Sequence, residues 1–357
     1  MFFLRKKLQL IYKLLISQIF KLIYGRIILS DKIQDNVKFK EINKAEHKYK
    51  FVEVINGRIF TDYIENVAII CKNQIINHVS YQQINGELKE PSFNVVIKKG
   101  TPKFKKKING KVFSLVQGAS GNNYFHWMFD ILPRLIILEK IYPLSAIDYF
   151  YCPEIKPWQL QTLSIFKIKE NKIINSNYYR HILADKVLAV SHPWYHKGRI
   201  LNEAKNLPKW IIDEISSKFK IYAKKFECND KFFIDRRESK YNHCQIINDE
   251  EIKTYLKKKG FAIYKVGELN FFEQIYLFQN AKMIIGAHGA AFANLIFCNA
   301  NTKVLDIIPE NHPNTVDETI GKFKNLNFEF VRTKKLSVEK KLDGDIFLPI
   351  EEIEKFL

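Results

Sequence analysis

The sequence predicts an α/β fold, and three observations carry that prediction. Short apolar, β-branched runs alternate with helical patterns from residue 231 to 308. One of these runs, Met283-Ile284-Ile285, leads through Gly286-Ala287-His288-Gly289 into residues 290–297, the strand, turn and helix of a βα unit. Residues 51–99 read differently, as short strands broken by Asn56-Gly57 and Asn85-Gly86, the pattern of antiparallel hairpins. With 357 residues, 46% of them hydrophobic, the chain can fill two cores.

Taken in order, residues 1–30 read as an amphipathic basic helix that associates with a membrane. At 100° per residue Leu4, Leu8, Ile11, Leu15, Ile19 and Leu22 form one stripe, with Lys6, Lys13, Ser17 and Lys21 opposite. The longest uncharged stretch, residues 14–20, is far short of the roughly 20 residues a spanning helix needs. The alternative is that the stripe docks on the protein's own body. No small-residue cleavage site follows, so a secretory signal is not expected. Residues 31–105 form the small β-rich subdomain.

Residues 106–225 change to strand then helix: strands at 112–117 and 147–151, helices at 123–140 and 158–166, and extended runs at 172–174 and 181–190. Pro133 is expected to kink or break the first helix, and a helix at 203–225 bridges to the C-terminal half of the chain. Residues 226–335 alternate regularly, with strands at 231–235, 261–265, 283–285 and 303–308 and helices at 249–259, 271–280 and 290–297. That spacing implies right-handed βαβ units and a parallel sheet. Ligands of such sheets bind at the strands' carboxyl ends, where Asp235-Arg236-Arg237, residues 286–289 and Pro309-Glu310 fall. Residues 336–357 form a tail that packs back on the fold.

The net charge of +19 admits nucleic acid, anionic membranes and phosphorylated ligands as partners. No motif interleaves basic and aromatic residues, so nucleic acid is not expected. The five cysteines are widely spaced without a C-x-x-C pair, which argues against a disulfide framework or zinc knuckle and for a reducing cytoplasm. The nine histidines are scattered and no His-Glu-x-x-His occurs, so no tightly held metal or cofactor is expected.

Three constellations can do chemistry. In the first, GASGNNYFHWMFDILPR at residues 118–134, a helix would put Asn123, His126, Asp130 and Arg134 on one face. A histidine with a carboxylate one turn away can act as a general base, or be an ordinary solvated pair. In the second, a strand ends in Arg236 and Arg237, whose guanidinium forks match diphosphate oxygens. The third is the turn itself. Unpaired backbone N–H groups at a helix start attract anions, and glycines admit a ligand to the backbone. Gly286 is expected to take the sharp turn, Gly289 to keep the helix start clear, His288 to project towards the ligand, and Ala290 to lie on the helix start. Glu310, or the strand residue Asp306, can accept ribose hydroxyls.

These blocks, in this order, resemble the family 61 glycosyltransferases, a group formerly described as a domain of unknown function found in capsular polysaccharide biosynthesis proteins. The resemblance rests on N-x-x-H-W-x-x-D-x-L-P-R at residues 123–134, on Arg236-Arg237 with the following Asn-Asp-Glu-Glu helix start, and on GAHGAAFANLIF at residues 286–297. It covers roughly residue 112 to the C-terminus. It implies a GT-B-like architecture, two Rossmann-like domains facing across a cleft, with an acceptor domain at 106–225 and a nucleotide-sugar donor domain at 226–335.

The implied reaction is inverting transfer of a sugar from a nucleotide-diphosphate donor, without a metal, to a glycan acceptor, lipid-linked acceptors included. The setting implied is surface polysaccharide synthesis, capsular or O-antigen, on the cytoplasmic face of a bacterial cell membrane. His126 or Asp130 would be the base, Asn123 and Arg134 would lie on the acceptor side, and Arg236, Arg237, Gly286, His288, Gly289, Ala290, Asn294 and Glu310 would serve the donor. Gln245 departs from the family, which commonly has an arginine there. Two other readings stay open: a non-catalytic basic protein that binds membrane or nucleic acid, and another GT-B-like transferase that modifies glycans.

Overall fold

The computed structural model describes the chain apart from residues 1, 31–33, 63–65, 85–86, 119, 195–197, 200–202, 237–243, 314–315 and 335–343. The architecture is mixed α/β, in two compact units, residues 1–203 and 204–357.

The first unit contains β1 (Ile28–Leu29), β2 (Val37–Lys44), β3 (His47–Thr61), β4 (Val67–Cys71), β5 (Gln74–Ile75), β6 (Gln82–Ile84), β7 (Glu87–Lys89), β8 (Lys106–Ser114), β9 (Tyr149–Cys152), β10 (Ile173–Asn175), β11 (His181–Val190) and β12 (Gly198–Arg199). Nine of these make one sheet in the order β1-β5-β4-β3-β11-β8-β9-β10, with β2 on the edge of β3; β12, β7 and β6 make a small separate sheet. The strands β11, β8, β9 and β10 run parallel, while β3 meets β11, β2 and β4 antiparallel.

Residues 31–105 are therefore not a subdomain of their own. The long strand β3 pairs with β11 from Phe51 to Phe60, and Val52, Val54 and Ile59 share one core with Val112, Ile182 and Val187. Asn56-Gly57 does not turn the chain either. It lies within β3, where Asn56 takes a left-handed φ of 52° opposite an irregularity of β11, and a Cβ on Gly57 would come within 2.8 Å of Val187 Cβ. The reversal falls at Ala45-Glu46, between the paired Lys44 and His47. Asn85-Gly86 lies outside the described residues.

The N-terminal helix runs Phe2–Tyr24. Its stripe does not dock on the body: Leu4, Leu8, Ile11, Leu15, Ile19 and Leu22 are 46–88% exposed. No helix among the described residues is long and apolar enough to cross a membrane.

The second unit holds β13 (Lys231–Ile234), β14 (Ala262–Tyr264), β15 (Met283–Ala287), β16 (Lys303–Pro309) and β17 (Asn327–Thr333) in one fully parallel sheet of order β14-β13-β15-β16-β17. In chain order this is 2-1-3-4-5, so the topology reverses between β13 and β15, where open parallel sheets hold ligands. The alternation expected between residues 231 and 308 is present. It continues further than expected, through a helix at Val316–Lys324 to β17, which alternates exposed and half-buried residues as edge strands do. The helix Lys209–Lys220 belongs to this unit, with Ser216 Oγ donating to Ile296 O at 2.7 Å, so the division falls after residue 203 and not after 225. In the C-terminal tail, Ile353 and Phe356 of the helix Ile350–Phe356 join the core formed by Ile252, Leu256, Ile285 and Leu305.

Candidate functional site

In the first unit the polar cluster sits beyond the carboxyl ends of β8 and β11. The segment after β8 folds as a helical turn at Tyr124–His126, a π-helical turn at Trp127–Ile131 and a further helix at Leu132–Glu139. The wide turn falls just before Pro133, which has no N–H to donate back to the preceding turn, so the helix widens there and continues. Asn123 caps the start, its side-chain oxygen accepting from the His126 N–H at 3.3 Å.

His126 Nδ1 and Asp130 Oδ2 are 2.7 Å apart, and Trp194 Nε1–H donates to Asp130 Oδ1 at 2.8 Å. His192 Nε2 approaches the same carboxylate at 3.5 Å. Asp130 is 1% exposed. Burial alone would raise its pKa, but the charges and hydrogen bonds of His192 and His126 outweigh that and hold it well below the usual carboxylate range. Asp130 is thus an ionised, fully engaged acceptor. With Nδ1–H of His126 donating to it, Nε2 is the ring nitrogen that keeps a basic lone pair.

Arg134, also on this helix, turns inward. Its Nη2 donates to Gln117 Oε1 at 3.0 Å and its Nη1 to Val116 O at 3.5 Å, tying the helix to the chain leaving β8.

In the second unit β13, β15 and β16 end together, with Ile234 paired to Gly286 and Gly286 to Asp306. Gly286 lies inside β15, not at the turn, because a Cβ there would come within 3.0 Å of Ile234 and 3.4 Å of the Phe292 ring. The turn is made by His288 and Gly289 and leads into a 3-10 helix at Ala290–Phe297. Gly289 leaves room for the Arg236 guanidinium. A Cβ on it would lie 2.5 Å from Arg236 Cζ, since the guanidinium lies over this residue and donates to His288 O.

The His288 ring does not project free of the protein. Nδ1 lies 3.3 Å from Asp306 Oδ2 and 3.1 Å from Asp317 Oδ2, and the ring lies against that of His312, tilted by 50° with centroids 4.8 Å apart. Burial would lower its pKa, yet Asp306 and then Asp317 overcome this and raise it to about 10. Burial pulls Asp306 towards its neutral form. Two carboxylate oxygens converging on one ring nitrogen favour the imidazolium form of His288. The same three atoms are close enough together to take a cation in place of the proton.

A cleft of about 320 Å³ opens at the switch point between β13 and β15, lined among others by Asp235, Arg236, Gln245, Asp249 and Ala287. Asp235 is held in a buried ion pair with Lys253 at 3.0 Å, and among the described residues Arg236 is the charged strand-end group that reaches the turn. Gln245 also lines this cleft. Asn294 is buried and donates to Gln274 Oε1 at 3.1 Å, joining two helices. Glu310 follows β16 and is exposed, and Arg237 lies outside the described residues.

His126 and Asp130 therefore come together as their spacing implied, as do Arg236, His288 and Gly289. Asn123, Arg134, Gly286 and Asn294 are placed as caps, ties and packing positions. The sequence reading missed His192 and Trp194, which complete the Asp130 shell, and Asp317 and His312, which enclose His288. The signal for the first pair was present: Ser191-His192-Pro193-Trp194 directly follows the buried strand β11.

The sequence model of the family Glycosyltransferase 61 matches residues 124–305, just over half of the chain. The match begins beside His126 and ends one residue before Asp306. A beta-1,2-xylosyltransferase of Arabidopsis thaliana is 25% identical over 144 residues, covering 37% of this chain and 27% of that protein. The chain thus spans about a quarter of the length of this curated relative.

Proposed function

The chain belongs to the glycosyltransferase 61 family, and on that premise we propose that it transfers a sugar from a nucleotide-diphosphate donor to a hydroxyl of a glycan acceptor, with inversion. The observation that carries this reading is the buried His126–Asp130 pair. Nδ1 is committed to an ionised carboxylate and Nε2 is the free base. The acceptor oxygen attacks the anomeric carbon, His126 Nε2 takes its proton, and the bond to the diphosphate breaks with its electron pair leaving on the phosphate oxygen. Asp130 is the positioning residue, since each of its oxygens is already engaged.

The departing diphosphate is served by Arg236, by Arg237, and by backbone N–H groups of the turn at Gly289 and Ala290. His288 adds a fixed positive charge below that turn. Glu310 at the end of β16 accepts ribose hydroxyls, and Gln245 beside Arg236 bears on which donor fits. The arrangement this reading requires is GT-B-like, with the base and the donor site on different units. The setting is synthesis of a surface polysaccharide, as the resemblance to capsular proteins implies.

The test is release of nucleotide by the purified protein over a panel of nucleotide sugars. One donor is expected to turn over, with unchanged rate after chelation of divalent ions. His126→Ala is expected to stop release while donor still raises the melting temperature, and Arg236→Ala to lose that thermal shift. Absence of release and of thermal shift across the panel would overturn the proposal.

A further inference from the structure

The N-terminal helix carries an interaction surface that is independent of the transfer reaction. Ser17, Phe20 and Tyr24 hold it to the body from one face. Ser17 Oγ donates to Lys99 O at 2.7 Å, Phe20 is buried with its ring 5.1 Å from that of Phe104, and Tyr24 Oη accepts from the Lys105 N–H at 3.2 Å. At 100° per residue these three positions lie about 180° from the centre of the stripe Leu4, Leu8, Ile11, Leu15, Ile19 and Leu22. The stripe therefore points away from the body along the whole helix, about 34 Å at 1.5 Å per residue. A continuous apolar ridge of this length marks an interaction site.

Charge selects the occupant. Residues 1–30 contain six basic residues, Arg5, Lys6, Lys7, Lys13, Lys21 and Arg26, and no acidic one. The segment on which the helix is seated adds Lys98, Lys99, Lys103, Lys105, Lys106 and Lys107, all exposed, around Phe104, which is 78% exposed. We propose that the helix Phe2–Tyr24 and the lysine-rich segment at residues 98–107 form one composite surface that docks on an anionic lipid bilayer. The stripe enters the acyl boundary, and the lysines, on the segment behind the helix where Phe104 packs on Phe20, meet the phosphate headgroups. The helix lies in the interface plane, since it is not apolar enough to cross. A second copy of the chain fits this surface less well, because pairing two such faces would bring the basic residues of both together.

The experiment is flotation of the full chain with vesicles of phosphatidylglycerol and phosphatidylcholine, against vesicles of phosphatidylcholine alone. Binding is expected to the anionic vesicles, weakening as salt rises. A Leu8→Asp/Leu15→Asp variant is expected to lose it. Lys103→Gln/Lys107→Gln, outside the helix, is expected to weaken it by at least about tenfold, at roughly fivefold for each lysine near an anionic surface. All four side chains are exposed, so circular dichroism and the melting temperature should match the parent. Failure of the parent to float overturns the proposal. So does flotation untouched by the Leu8/Leu15 variant, and so does a self-associated parent that ignores vesicles and becomes monomeric in that variant. Flotation that depends on the helix but not on Lys103 and Lys107 overturns the composite surface.

Discussion

His126 in the first unit and His288 in the second lie beyond the carboxyl ends of parallel strands and both face an aspartate, yet the surroundings of the two rings differ. Asp130 divides its charge among His126, Trp194 and, at 3.5 Å, the His192 ring, so a single carboxylate faces three side chains. Around His288 the ratio is reversed. Two carboxylates converge on one ring nitrogen, and the proton is held up to about pH 10. The number of partners, more than the presence of a His/Asp pair, sets the two rings apart; in the proposed reaction the first serves as the base and the second as a fixed cation.

The sharpest way to break this contrast is at the first site. His126→Ala should reduce single-turnover rate by about 10²- to 10⁴-fold, the usual worth of a positioned base. Asp130→Asn should fall in the same range, with donor affinity unchanged, because the amide lets the ring adopt the wrong tautomer. If His126→Ala keeps near-parental turnover, the base lies elsewhere and the comparison fails.

Stability is the readout for the second site. Asp317→Ala should cost about 3 kcal/mol in denaturant unfolding, the lower end of what breaking a buried pair costs, because Asp306 remains. The pH dependence has a definite sign. His288 has a raised folded pKa, so its contribution is complete below the unfolded value of about 6.5 and is lost as pH rises towards about 10. The gap in melting temperature between parent and His288→Gln should therefore narrow across that window. A gap that stays constant would show that His288 holds no extra proton.

The smallest expected effect is at Gly289. An added methyl would meet the far end of Arg236, a side chain that can swing aside. Gly289→Ala should therefore leave the melting temperature almost unchanged and weaken donor binding on the order of tenfold by displacing one charge-assisted donor. Unchanged affinity would remove Arg236 from the donor site.

Much of the second unit was legible because its signals are local. Strands three to seven residues long, separated by helices with caps such as Asn270 and Glu273, are decided by neighbours within a turn or two. The same holds for His126 and Asp130, whose i,i+4 spacing survives even the π-helical turn between them. The strand β17 has only Phe328, Phe330 and Val331 as apolar residues and so presents no apolar run. The Asn56-Gly57 dipeptide misled because a left-handed Asn serves an irregularity inside a strand as well as it serves a turn.

By itself, then, the sequence determined the α/β class, the parallel alternation, the His126–Asp130 register and the Arg236-to-Gly289 neighbourhood at one sheet edge. Only the tertiary structure decided that β3 joins β11 and merges the N-terminal strands into one sheet. It alone brought Trp194 to Asp130 across 64 residues and Asp317 to His288 across 29. The physical reason is range. Periodicity and capping act through bonds between near neighbours. Long-range pairs are selected when buried polar groups must find partners and strands must find a register, and that choice is made by the whole fold at once.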